Sequence, residues 1–68
     1  MSQKGKVLKH LTDYRTITSY EAFKTYSILR LGAIIYELRF LGYDIRGYWV
    51  QNGDKRYYEY KLVGKGLT

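Results

Sequence analysis

Residues 27–42 have the sequence SILRLGAIIYELRFLG, which is the only long helical pattern in the chain. Four of its apolar residues recur at steps of three and four, the spacing that places side chains on one side of a helix: Ile28, Leu31, Ile35 and Leu38. We therefore predict a long helix whose apolar stripe faces the core. Ser27 is expected to cap its first turn, and Gly42 to adopt the left-handed conformation that closes its last turn.

The composition predicts a small folded domain without disulfide bonds. The chain has 68 residues, 46% of them hydrophobic, with nine Tyr, one Trp, two Phe and no Cys. A chain of this length buries only about 60% of the surface that its unfolded form exposes, so its stability should be limited. The absence of cysteine excludes a thiolate metal site and a cysteine nucleophile. We expect one domain over residues 6–62, with loose termini at residues 1–5 and 63–68.

The charge predicts an anionic partner. Twelve Lys and Arg against six Asp and Glu give a formal net charge of +6, which attracts an extended anion, and nucleic acid is the commonest such partner of a small domain. No apolar run approaches the ~20 residues that cross a bilayer, and the polar N-terminal segment lacks the apolar core of a signal peptide. We expect a cytoplasmic protein that does not associate with membranes.

Two shorter helices are predicted before the long one. Residues 6–11 carry apolar side chains at helical spacing with basic residues between them. Residues 15–17 form a short β-branched segment that can pair with a later strand. Thr18 and Glu21 have the spacing of a capping box, which predicts the start of a second helix. Because only a few residues separate the second and third helices, they must cross steeply, as in a helix-turn-helix.

A β-hairpin is predicted after the long helix. Residues 45–51 are rich in strand formers, and Asn52-Gly53 is a strong signal for a two-residue turn. This turn places Arg46 opposite Glu59 and Tyr48 opposite Tyr57. Alternation then puts five residues on the core face: Ile45, Trp49, Tyr58, Tyr60 and Leu62. A longer loop through Asp54 and Lys55 is the alternative.

Three helices followed by a hairpin is the order of a winged helix-turn-helix domain, and three segments carry a likeness to that family. They are ITSYEAF at residues 17–23, the spaced pattern I-x-x-L-x-x-x-I-x-x-L-R-x-x-G-Y-x-I at residues 28–45, and KRYYEYKL at residues 55–62. Over about residues 6–62 the chain resembles the small winged-helix proteins common in bacterial phages and mobile elements. The resemblance implies an α+β fold with a two-stranded wing, and a third short strand near Ile17 is an open alternative.

The resemblance also implies how the protein acts. In that family the third helix enters the major groove of DNA, and the wing reaches along the backbone or the minor groove. The implied partner is double-stranded DNA, without a cofactor, and the implied role is transcription regulation or DNA architecture. The implied groove-facing residues are Leu29, Arg30, Ala33, Ile34 and Glu37, and the implied wing contacts are Asn52, Lys55 and Arg56. Among the helix residues, only Arg30 can make the bidentate contact that reads guanine.

The same residues also allow other interpretations. Arg30 can be a solvated surface arginine, and Lys55 and Arg56 can serve solubility, with Arg56 stacked on Trp49. Apolar side chains on an outward helix face are more typical of a protein contact. The second hypothesis is therefore a homodimer or host-protein contact through Leu29, Ala33, Tyr36 and Phe40, unless the monomer itself covers these side chains.

A third hypothesis is stacking of single-stranded nucleic acid on Tyr48 and Tyr57. Catalysis is not predicted, because the single His10 lies among lysines and the Asp residues fall at predicted turns. No glycine pattern matches a phosphate-binding loop. We predict a protein that is not an enzyme and holds no metal.

Overall fold

The computed structural model describes residues 2–65, which form three helices and one three-stranded antiparallel sheet. In chain order the elements are α1 (Gln3–Tyr14), β1 (Thr16–Thr18), α2 (Ser19–Tyr26), α3 (Leu31–Phe40), β2 (Tyr43–Asn52) and β3 (Lys55–Lys65). The strands lie in the order β1-β3-β2, and Ile17 of β1 pairs with Tyr60 of β3. The predicted α+β fold is confirmed, and the third strand near Ile17 is present.

The helices and strands extend past the predicted limits of residues 6 and 62. The Ser2 hydroxyl accepts a hydrogen bond from the Gly5 N–H at 3.0 Å and caps α1. At the other end, Lys65 pairs with Tyr43 in the sheet. The expectation of loose ends is therefore corrected for residues 3–5, which are helical, and for residues 63–65, which belong to β3. Met1 and residues 66–68, which share that expectation, lie outside the described residues.

The connection between α2 and α3 has the geometry of a tight helix-turn-helix. The Thr18 hydroxyl accepts from the Glu21 N–H at 3.1 Å, and the Glu21 carboxylate accepts from the Thr18 N–H at 3.0 Å, so the predicted capping box is confirmed. Ser27 has a φ of 59° and ends α2, whereas the sequence predicts that it starts the long helix. A residue in the left-handed region interrupts the helical run, so α3 begins at Leu31. Gly42 closes α3 as predicted, with a φ of 105°.

The core lies between the helices and the base of the sheet. The inner side of α3 consists of four residues that are each at most 3% exposed: Leu31, Ile34, Ile35 and Leu38. They join one buried cluster with residues of the other elements, including Leu11, Ile17 and Leu62. The predicted stripe from Ile28 to Leu38 is thus confirmed as core. No buried side-chain nitrogen or oxygen within residues 2–65 lacks a hydrogen-bond partner.

The hairpin turns one residue later than predicted. Asn52 pairs with Lys55, so the turn consists of Gly53 and Asp54. The φ of +62° at Gly53 fits a glycine at the first central position of a two-residue hairpin turn. Consequently the partners in β3 are shifted by two residues: Arg46 opposes Lys61, Tyr48 opposes Glu59 and Trp49 opposes Tyr58.

The shift of two residues leaves the two faces of the hairpin unchanged, because side chains alternate with a period of two. Ile45 and Leu62 are buried as expected. Trp49 and Tyr58 share their face but are exposed, which corrects the expectation that both belong to the core. The physical reason is the length of the hairpin: β1 ends opposite Glu59, and beyond that point only two strands continue.

Candidate nucleic-acid interface

The outer side of α3 is apolar and exposed. At 3.6 residues per turn, Ala33, Tyr36 and Phe40 lie on one line opposite the core stripe, and we call these three residues the outer stripe. Tyr36 is 70% exposed and Phe40 83% exposed. Leu29, which is 81% exposed, precedes the stripe in the turn between α2 and α3. The monomer therefore leaves these side chains uncovered within the part of the chain that the structure describes.

Of three further residues implied to face the groove, one is buried and two are exposed. Ile34 comes three residues after Leu31 and four before Leu38, so it shares the core stripe and is buried, which corrects its outward placement. Glu37 lies on the flank of α3 next to α1, where its carboxylate is 3.7 Å from the Lys4 ammonium group. Arg30 occupies the N-cap position of α3, is exposed and makes no capping hydrogen bond with its side chain.

The hairpin adjoins the opposite flank of α3. Arg39 Nε donates to the carbonyl oxygen of Ile45 at 2.8 Å, and the Arg39 guanidinium carbon lies 5.9 Å from the ring centroid of Tyr60. Gly32, two turns before Arg39, faces the same ring, since a Cβ built at Gly32 would lie 3.9 Å from the Tyr60 hydroxyl. The outer side of α3 and the inner face of the hairpin therefore form one continuous surface.

Aromatic side chains line the inner face of the hairpin from its base toward its tip. The ring centroids of Tyr60 and Tyr58 are 5.3 Å apart, and those of Tyr58 and Trp49 are 5.1 Å apart, both with nearly perpendicular rings. We call Tyr60, Tyr58 and Trp49 the aromatic ladder. Arg56 lies on its last ring, with the guanidinium carbon 4.5 Å from the Trp49 centroid. The alternation in the sequence places these rings on one face but does not reveal that Tyr58 and Trp49 leave the core, whereas Tyr60 packs against it.

Gly47 provides the space that the ladder needs. A Cβ at Gly47 would lie 2.7 Å from Cζ of Tyr58, far inside the distance that carbon atoms tolerate. Tyr58 thus lies over the bare backbone of Gly47, although Tyr60 is the residue directly opposite. A hairpin of two strands is marginally stable by itself. Edge-to-face aromatic pairs stabilise the part of this hairpin that extends beyond β1.

The tip of the hairpin carries the predicted wing residues. Asn52, Lys55 and Arg56 are all exposed there, on either side of the turn. Gln51 Nε2 donates to the Gly53 carbonyl oxygen at 2.8 Å and braces the turn. Arg56 is held on Trp49, whereas Lys55 projects from the neighbouring position of β3. Arg56 therefore stands at the end of the aromatic ladder, and Lys55 adds a second cation at the tip from the other face of β3.

The outer face of the hairpin differs from the inner face because it carries the carboxylates of Asp44 and Glu59. Arg46 donates two hydrogen bonds of 3.2 Å to Asp44, which raise the pKa of the Arg46 guanidinium, and does not form the predicted pair with Glu59. Glu59 instead accepts from the Tyr48 hydroxyl at 2.9 Å, and this hydrogen bond raises the pKa of Tyr48. Tyr57, the predicted partner of Tyr48, opposes Val50. Carboxylates therefore flank the tyrosines that the single-strand hypothesis invokes.

The described residues show neither a metal cluster nor a membrane-spanning helix. Among residues 2–65, no group of three or more His, Asp or Glu side chains is placed to hold a metal ion. None of the helices in the described residues is long and apolar enough to cross a membrane. His10 is buried between α1 and α2, with Nδ1 2.8 Å from the Tyr26 hydroxyl. This histidine therefore has a structural hydrogen bond.

Comparison with known proteins gives one result. A family model described as a winged helix-turn-helix domain matches residues 2–65. No curated protein and no solved structure gives a significant match. The matched range includes all three helices, the hairpin and the surface that joins them.

Proposed function

Because the chain belongs to the winged helix-turn-helix family, we propose that it binds double-stranded DNA through the outer side of α3 and the hairpin wing. The observation that carries the proposal is the continuous surface from the start of α3 to the hairpin tip. Cations lie at both of its ends, with Arg30 before the helix and Arg56 after the ladder, and Lys55 adds a cation at the hairpin tip from the other face of β3. The formal net charge of +6 supports a polyanionic partner.

The ends of the surface bind the DNA backbone, and its centre binds the groove. Phosphate contacts are made by Arg30, Asn52, Lys55 and Arg56. These contacts supply most of the affinity, because contacts to the backbone dominate DNA binding. Contact with the Trp49 ring restrains the guanidinium of Arg56 and so reduces the rotamer freedom that binding would remove. The outer stripe lies between these cations and enters the groove. In this proposal the protein is a small cytoplasmic regulator or architectural factor of the phage and mobile-element type.

The test is duplex binding by fluorescence anisotropy over a salt series. Each phosphate contact contributes about 0.9 to the slope of log affinity against log salt, so Arg30→Gln, Lys55→Gln and Arg56→Gln together should lower the slope by about 2 to 3. The matched control replaces Lys9, Lys24 and Lys65 by Gln, which removes the same net charge from other parts of the surface. Equal slopes for the two triple variants, or no duplex binding at low salt, would contradict the proposal.

A second candidate function is a protein-interaction module. The exposure of Leu29, Tyr36 and Phe40 supports it, because large exposed apolar side chains are typical of protein contacts. The partner would be a second copy of the chain or a host protein. Sedimentation of the wild type and of Phe40→Ala separates this candidate from DNA binding. Self-association that Phe40→Ala removes, with no binding to duplex DNA, would favour it.

A further inference from the structure

The outer stripe has almost no hydrogen-bonding capacity. Ala33 and Phe40 have none in their side chains, and Tyr36 contributes a single hydroxyl. The polar residues on either side are directed elsewhere: Glu37 toward Lys4 and Arg39 toward the carbonyl of Ile45. The part of α3 that projects farthest from the core is therefore unable to read the donor and acceptor pattern of base edges.

The setting of the stripe favours a polyanion as its occupant. Arg30 lies at one end of α3, and the aromatic ladder connects the flank of α3 to Arg56, with Lys55 next to it at the hairpin tip. The formal net charge of +6 opposes self-association of two copies and favours a duplex. An apolar line between cations fits a groove that has phosphates on both sides and an apolar group on its floor.

The thymine C5-methyl is the apolar group that base pairs present in the major groove. We infer that the outer stripe recognises thymine methyl groups, an inference that rests on the proposed duplex binding. Ala33, Tyr36 and Phe40 pack against the methyls, and Leu29 adds apolar area at the start of α3. The specificity of the protein is then a preference for duplexes with methyl groups in the major groove, and hydrogen bonds to base edges contribute little to it.

The length of the stripe limits how many base pairs it can contact. Phe40 lies seven positions after Ala33, which corresponds to a rise of about 10 Å along the helix axis. That length corresponds to roughly three base-pair steps. The stripe therefore reads a short run of adjacent base pairs within one face of the groove.

The methyl group can be added and removed without changing the rest of the base pair. The experiment measures affinity, at fixed low salt, for four alternating duplexes: dA-dT, dA-dU, dG-dC and dG with 5-methyl-dC. Deoxyuridine lacks the thymine methyl, and 5-methylcytosine places a methyl at the same position in a G·C pair. We expect the methylated member of each pair to bind about fourfold more tightly for every methyl buried.

Variants of the stripe connect this preference to named side chains. Tyr36→Ser with Phe40→Ser should reduce the ratio within each pair toward one and keep the salt dependence, because Ser has a helix propensity similar to Tyr and Phe. Leu41→Ser, at an exposed leucine just after α3, is the control and should keep the ratio.

The outcomes separate this inference from the proposed function. Equal affinity within both pairs, with normal salt-dependent duplex binding, would overturn the methyl recognition and leave DNA binding intact. Absence of binding to all four duplexes would overturn both. Self-association of the protein through the outer stripe, measured by sedimentation and removed by the Ser variants, would also overturn the inference, because a second copy would then occupy the stripe.

Discussion

The two sides of α3 carry similar apolar side chains in opposite environments. The inner side, with Leu31 and Leu38 at its ends, is buried against α1 and the base of the sheet. The outer side presents Tyr36 and Phe40 to solvent. Apolar composition alone does not decide which side is buried, because both sides are apolar enough to be covered. Apolar side chains that the fold leaves exposed are available to a ligand.

The hairpin shows a related contrast between its two faces. Its inner face continues the core outward as the aromatic ladder, which ends at Arg56. Its outer face has the ion pair between Arg46 and Asp44 and the hydrogen bond between Tyr48 and Glu59. The ladder depends on close contact between rings, whereas the outer face depends on solvent-exposed charges. Substitutions on the inner surfaces should therefore cost far more stability than substitutions on the outer ones.

The largest effect is expected for Leu38→Ala on the inner side of α3. Removing a fully buried leucine side chain lowers the free energy of unfolding by about 2–5 kcal/mol, a large share of the stability of a domain this small. Urea unfolding measures the loss. Leu41→Ala, at a residue that is about half exposed, is the control and should change the free energy by less than about 0.5 kcal/mol. Similar losses for both variants would contradict the contrast.

Gly47→Ala should have the next largest effect. The added Cβ displaces the Tyr58 ring, which breaks its contacts with Trp49 and Tyr60. Gly64→Ala is the control, since nothing lies within 4 Å of a Cβ at that position in β3. We expect Gly47→Ala to be less stable than Gly64→Ala by about 1–3 kcal/mol, the size of two aromatic pairs. A changed Trp49 fluorescence spectrum should accompany the loss, and identical behaviour of the two variants would exclude the ladder as a stabilising contact.

Phe40→Ala on the outer side of α3 should leave stability nearly unchanged. The side chain is almost fully exposed, so the free energy of unfolding should change by less than about 0.5 kcal/mol. Ile34→Ala, on the inner side of the same helix, is the reference and should lose about 2–5 kcal/mol. A loss above about 1 kcal/mol for Phe40→Ala would show that the outer stripe is covered in solution.

The smallest effect concerns the outer face of the hairpin. The hydrogen bond to Glu59 raises the pKa of the Tyr48 phenol above the ordinary tyrosine value of about 10. Because the folded pKa is the higher one, the stabilisation is fully present below the unfolded pKa and is lost as the pH rises through the folded pKa. Glu59→Gln should lower the pKa of Tyr48, which an NMR titration of isotope-labelled tyrosine can follow. An unchanged pKa would mean that the hydrogen bond does not persist in water.

The sequence predicts the periodic features of this fold well. The stripe from Ile28 to Leu38, the Thr18 and Glu21 capping box and the two-residue hairpin turn each depend on local spacing. Its errors come from features that local spacing leaves undecided. Ser27 satisfies the rules for an N-cap, but in the structure it adopts the left-handed conformation and ends α2. The outward placement of Ile34 was avoidable, because its sequence spacing from Leu31 and Leu38 already places it on the core stripe.

The hairpin shows a further limit of sequence patterns. Asn52-Gly53 and Gly53-Asp54 both suit a two-residue turn, and the resulting registers differ by a shift that preserves the faces. Alternation therefore assigns Trp49 and Tyr58 to the inner face correctly. Alternation does not reveal that β1 ends opposite Glu59. Both rings are exposed because they lie beyond that end of β1. The cations at the tip and the stacking of Arg56 on Trp49 were both predictable from the sequence, and the stacking is confirmed.

We propose that the outer side of α3 and the inner face of the hairpin bind one duplex together. Backbone amide chemical shifts of isotope-labelled protein, followed during titration with a duplex of roughly 20 bp, test it most directly. We predict the largest changes at Arg30, Ala33 and Tyr36 and at Lys55 and Arg56, with little change at Lys9 in α1. Largest changes on α1, or no changes at low salt, would contradict the claim.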